Sequence, residues 1–222
     1  LLTLADVPEA ELDRLSSLGI DMVWLMGVWK VGEKAAEKAR THPGLEAEYR
    51  RALPDLRPED VTGSPYAVAD YQVAESLGGA TSLLFLRKRL ERRGIGLLLD
   101  FVTNHVGLDH PWVSARPELF VQGAKDDLER EPGNYFRAET ASGPRILAHG
   151  RDPYFPGWTD TVQLNFLHRG ARAVLKDIIK TLASQCDGVR CDMAMLALDS
   201  VFRKVWGDRA LRTAGDPPAS GE

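Results

Sequence analysis

Apolar residues recur at helical spacing in three stretches, and each stretch is followed by a short run that is apolar almost throughout. In ADVPEAELDRLSSLG (5–19) a proline stands early, Leu12, Leu15 and Leu18 share one side, and Gly19 ends the pattern. The run IDMVWLM (20–26) comes next. TSLLFLRKRLERRG (81–94) repeats the scheme with Thr81 as N-cap, a stripe of Leu83, Leu84, Leu86 and Leu90, a basic last turn and Gly94 as the stop. Its strand is IGLLLDF (95–101). ARAVLKDIIKTLASQ (171–185), with Val174, Leu175, Ile178, Ile179 and Leu182 on one side, leads to DGVRCDMAM (187–195). Wholly apolar strands separated by amphipathic helices predict parallel strands covered by helices, the α/β class. Open sheets and (β/α)8 barrels both satisfy that pattern. Polar residues crowd the carboxyl ends of two of these strands, Asp100 to His105 and Arg190 to Asp192, and that is where barrels gather the residues of one site.

Two connections are too long to be plain loops. Residues 27–80 and 102–170 carry most of the prolines and many aromatics, and long loops in compact domains are usually functional. Within the first, VGEKAAEKARTHPGLEAEYRRALPDLRPEDV predicts one or two surface helices broken at Pro43 and Pro54, a solvated insertion over about 28–63. The second is long enough for a small inserted domain at 104–165. On this reading 1–103 begins the main unit and 166–222 continues it.

Composition changes this picture little. The 222 residues, 44% hydrophobic and 27% charged, have a core to bury, and a net charge of −4 spread along the chain leaves no basic stripe to track nucleic acid. No apolar stretch approaches the roughly 20 residues that cross a bilayer. No leader pattern opens the chain, which starts on Leu1, and sparse cysteines favour a cytoplasmic setting. Cys186 and Cys191, set across a strand with side chains on opposite faces, are expected to be buried thiols without a metal.

The candidate chemistry sits at the strand ends. Arg190 and Asp192, two apart on a strand, leave it on the same face, so the guanidinium can hold the carboxylate ionised. That makes Asp192 a candidate nucleophile or half of a structural ion pair, and spacing leaves both open. Asp100 either caps its loop or touches substrate, and His105 by itself is a polar loop residue. Asn104 is a turn former or a cation ligand through its amide oxygen.

DFVTNH (100–105), GVRCDMA (188–194), QLNF (163–166) and SPYAVADY (64–71) together resemble the ordered signature segments of the alpha-amylase superfamily, glycoside hydrolase family 13. LGIDMVWLMGVW (18–29) resembles the segment around that family's second barrel strand. The resemblance implies a (β/α)8 barrel of which the chain covers roughly strands two to four, with a small domain after strand three. It implies that Asp192 is the nucleophile of a retaining α-glucoside hydrolase or transglucosidase and that Arg190 orients it. His105 and Tyr66 would line the sugar subsite, Asp100 and Asp70 would brace it, and Asn104 stands where many members hold calcium. No cofactor is required. The substrate is an α-glucan or small glucoside, with neither nucleic acid nor membrane as partner.

Retaining glycosidases need two carboxyl groups about 5 Å apart. The family's general acid is a glutamate at the end of strand five. Glu222 follows a proline-rich loop rather than an apolar strand and is not given that role, so the chain by itself is expected to be inactive. Met195 and Leu196 stand where many true alpha-amylases have lysine and histidine, which speaks against a starch endo-amylase with the usual calcium site. Two other readings are open: a non-catalytic amylase-like scaffold or sugar-binding module, and a metal-dependent hydrolase using Asp100, His105 and Asp192.

Overall fold

The computed structural model describes residues 2–212, so Glu222 lies outside the described residues. After a 3-10 turn at Leu4–Asp6 come α1 (Glu9–Ser17), β1 (Met22–Leu25), β2 (Trp29–Val31), α2 (Glu33–Thr41), α3 (Leu45–Ala52), β3 (Val68–Val73), α4 (Gly79–Glu91) and β4 (Gly96–Val102). The chain continues through β5 (His105–Gly107), α5 (Pro111–Ala115), α6 (Lys125–Arg130), β6 (Tyr135–Ala138), β7 (Arg145–Ala148) and β8 (Thr161–Gln163). It closes with α7 (Arg169–Gln185), β9 (Gly188–Asp192), α8 (Asp199–Trp206) and α9 (Asp208–Arg212).

The three apolar runs pair as one parallel sheet in the order β1-β4-β9. Leu97 and Leu99 are fully buried in the same cluster as Leu83, Leu86 and Leu90 of α4. Pleating sends Leu98, Asp100 and Val102 to the other face. Among the described residues β1 and β9 each pair only with β4, so both have a free edge. That open arrangement accounts for Met22 and Trp24 being 42% exposed on a strand whose apolarity predicts burial.

Several local expectations change for the same kind of reason. Cys186 is buried but Cys191 is exposed, because it lies on the edge strand β9 and points away from Arg190 and Asp192. Leu18, Leu84 and Ile179 are exposed: each stands at the margin of its helical stripe, where nothing packs. Thr81 is inside α4, which starts at Gly79 after a left-handed Gly78.

The insertion begins later than its composition suggests. Val28 and Trp29 are buried, and β2 pairs antiparallel with β3, so the solvated part starts with α2, which still buries Ala35 and Ala36. There α2 and α3 form a helical hairpin that ends before Pro43 and Pro54. Residues 104–165 hold β5 to β8, paired as β5-β8 and β6-β7, together with α5 and α6. Their core of Val106, Leu119, Phe120, Leu147, Val162 and Leu164 also takes in Ala171 of α7, which ties this segment to the main unit. No helix among the described residues is long and apolar enough to cross a membrane.

Candidate active site

Register brings the site together. In the β4–β9 ladder Asp100 lies opposite Arg190 and Val102 opposite Asp192, so residues 90 apart in sequence share one end of the sheet. Arg190 Nη1 donates to Asp192 Oδ1 at 2.7 Å and to Asp100 Oδ1 at 3.2 Å. Both carboxylates are buried, while the Arg190 side chain is 39% exposed. Its guanidinium lies over Trp24 at 5.1 Å and Tyr66 at 5.3 Å, so two aromatic faces orient the cation.

Asp100 is spoken for on both oxygens. Its Oδ2 accepts the backbone N–H of Gly27, and its carbonyl accepts Trp29 Nε1–H at 2.8 Å. Asp192 has Arg190 as its side-chain partner. Burial pushes the Asp192 carboxyl above the usual carboxylate range, with Arg190 pulling it back and Asp100 adding to the rise. Arg190 favours the ionised form, as its spacing suggests, but desolvation is the larger effect. Thr103 Oγ1 donates to the Asp192 carbonyl at 3.2 Å, and Met193, the next residue, has a left-handed φ of 50°. The chain turns sharply just past the carboxylate, a strained geometry for a non-glycine residue.

His105 and Tyr66 meet beside this cluster. Burial lowers the His105 pKa to about 4, against a hydrogen bond donated to the Tyr66 backbone carbonyl, so the ring is neutral near pH 7. Its ring packs on Trp158 at 5.2 Å. Close approach of neighbouring segments favours glycine at two positions here. A Cβ at Gly107 would stand 2.5 Å from the Ala67 carbonyl oxygen, and one at Gly150 would stand 3.0 Å from His105 Cβ.

Asn104 is buried and pairs with Gln163: its Nδ2 donates to Gln163 Oε1 at 3.1 Å, and its Oδ1 accepts from Gln163 Nε2 at 3.0 Å. The amide oxygen a calcium ion would need is already engaged. No group of three or more His, Cys, Asp or Glu among the described residues is placed to hold a metal ion. Calcium at Asn104 would have to share an amide oxygen that already accepts from Gln163. Asp70 lies on β3 opposite Lys30, and among the described residues no hydrogen bond joins it to the Arg190 cluster.

The residue beside it does reach the site. Tyr71 Oη donates to the Val102 carbonyl and accepts the Val102 N–H, both at 3.0 Å, and its ring packs on Trp29 and Phe101. Tyr71, Trp29, Trp24 and Gln163 were not singled out from the sequence. All four lie inside the quoted signature-like segments, which was the available signal.

A parallel α/β sheet whose carboxyl edge gathers two carboxylates around one arginine has its polar groups where barrel enzymes carry their sites. The family model described as "Alpha amylase, catalytic domain" matches residues 9–196, and the chain belongs to that family. It is 25% identical over 195 residues to alpha-amylase MalA of Haloarcula japonica, covering 87% of this chain and 23% of that protein. To an oligo-1,6-glucosidase of Parageobacillus thermoglucosidasius it is 29% identical over 104 residues, 46% of this chain and 14% of that one. The solved isomaltulose synthase of a Klebsiella species superposes with a TM-score of 0.60 at 19% identity, over 88% of this chain and 32% of the other. The fold is that of part of a (β/α)8 barrel. The chain spans less than a quarter of the length of either curated relative.

Proposed function

We propose that this chain carries the nucleophile side of a retaining α-glucoside hydrolase or transglucosidase, with β1, β4 and β9 as the second, third and fourth barrel strands. The observation that carries the reading is the Arg190 clamp, which aims one Asp192 oxygen at the guanidinium and leaves the other for attack on an anomeric carbon. Asp192 forms the glycosyl-enzyme bond as the leaving oxygen takes a proton, and water or a second sugar then displaces it. Asp100, held by Gly27 and Arg190, is not that proton donor. The donor is the strand-five glutamate that the family resemblance implies.

Tyr66 offers an aromatic face to the sugar ring and neutral His105 a hydrogen bond to a hydroxyl. The similar proteins include an oligo-1,6-glucosidase and a palatinase, which supports a small α-glucoside or short glucan as substrate. The test is to treat the natural full-length protein with an activated fluorinated α-glucoside whose glycosyl-enzyme breaks down slowly, then map the labelled peptide by mass. A label on the peptide containing Asp192 is expected, and none is expected for Asp192→Asn. Turnover with the label elsewhere would sink the assignment.

A further inference from the structure

Next to His105 runs a chain of buried amide contacts that the chemistry above does not use. In the β5–β8 ladder His105 lies opposite Gln163, and Asn104, His105 and Gln163 are all buried. Gln163 Nε2 stands 2.9 Å from the Asn104 carbonyl oxygen, 3.0 Å from the Leu164 carbonyl oxygen and 3.0 Å from Asn104 Oδ1. Backbone carbonyls only accept, so this end of the Gln163 amide is its NH2 group and the other end is Oε1. Oε1 in turn only accepts, so the Asn104 atom that meets it at 3.1 Å is the donor Nδ2.

The same Asn104 Nδ2 lies 3.3 Å from His105 Nδ1. An amide NH2 only donates, so Nδ1 is the acceptor in this contact. A neutral imidazole carries one ring proton, and with Nδ1 accepting, that proton sits on Nε2. The donor that the ring offers to the Tyr66 carbonyl is therefore Nε2–H. The opposite tautomer would set a nitrogen lone pair against that carbonyl oxygen and an N–H against the Asn104 NH2, two repulsive contacts in a buried site. Each hydrogen-bond direction is fixed by the one before it, starting from two backbone carbonyls.

We propose that Gln163 is a positioning residue that, through Asn104, holds His105 as the Nε2–H tautomer and so fixes the backbone carrying Tyr66 beside Arg190. The Tyr66 ring, 5.3 Å from the Arg190 guanidinium, is then placed from the segment 104–165 as well as from its own. The consequence for turnover rests on the glucosidase reading above, and the test separates the two.

The natural full-length protein is prepared with isotope-labelled histidine ring nitrogens, and the His105 signals are read by NMR at pH 7, assigned by their loss in His105→Asn. Wild type is expected to show a protonated Nε2 and a bare Nδ1. Gln163→Met keeps the side-chain length but removes both ends of the amide. The single tautomer is expected to give way to a mixture, with kcat/KM for a nitrophenyl α-glucoside at least fivefold lower. Asn104→Asp sets a carboxylate oxygen against Nδ1 and is expected to draw the proton there, which keeps the test decisive should Gln163→Met fail to fold. A proton on Nδ1 in wild type, or an unchanged Nε2–H tautomer in every variant that folds, overturns the proposal. A changed tautomer with kcat/KM unmoved overturns the positioning role. The expected tautomers in a wild-type protein that turns over no α-glucoside overturn the glucosidase reading and keep the relay from Gln163 to His105.

Discussion

Arg190 is the residue on which the site turns, because one guanidinium nitrogen serves two buried carboxylates while two aromatic faces hold its plane. Lysine offers a point charge in place of a planar fork and cannot reproduce that geometry. Arg190→Lys is expected to lower kcat/KM by about a hundredfold or more, the order seen when a charge-organising group is removed. The pH dependence carries a sign. If Asp192 is the nucleophile proposed above, it must be ionised to attack, and burial already raises its pKa, so the activity of the full-length protein is expected to fall as pH drops through that raised value. Since Arg190 opposes the rise, replacing it moves the acid limb of kcat/KM to still higher pH. A limb that stays in place would contradict the coupling. Asp192 and Arg190 were readable from a two-residue spacing, whereas the Asp100 contact depended on strand register.

Elements hold the carboxyl end of β4 from several sides. Tyr71 of β3 pins both the N–H and carbonyl of Val102, and Trp29 of β2 ties down the Asp100 carbonyl. Tyr71→Phe leaves those buried backbone groups without their partner and is expected to cost about 1–3 kcal/mol, measured by urea unfolding. Gly107→Ala would drive a methyl into the Ala67 carbonyl, which belongs to the segment carrying Tyr66. It is expected to cost about 1–3 kcal/mol as strain, and equal stability to wild type would argue against that close approach. The helix–strand pairs α1–β1, α4–β4 and α7–β9 were legible from apolar period, whereas the short strands β2, β3 and β5 to β8 carry too few residues to show one. Their ends shifted where a left-handed glycine, not a side-chain cap, started α4.

At the scale of the molecule, two histidines are kept neutral by burial. His105 and His110 both have pKa values lowered to about 4. The unfolded chain takes up these protons near pH 6.5 and the folded chain only near 4, so the stability they contribute is present above pH 6.5 and lost as pH falls toward 4. Each accounts for on the order of 3 kcal/mol at full loss, from shifts of that size. Asp192 runs the other way, its raised pKa favouring the folded state at low pH. Urea midpoints at pH 7 and pH 5 should differ in that direction, and the difference should shrink in His110→Gln.

The sequence by itself determined three helix-then-strand units, the apolar stripe of each helix, and that polar chemistry collects at the ends of two strands, because those properties repeat over a few residues. It also placed the chain in its family through short segments in the right order. Tertiary structure decided that Asp100 stands opposite Arg190, that Asn104 spends its amide on Gln163, and that desolvation outweighs the guanidinium at Asp192. Strand register and burial depend on partners dozens of residues away, and no local period records them.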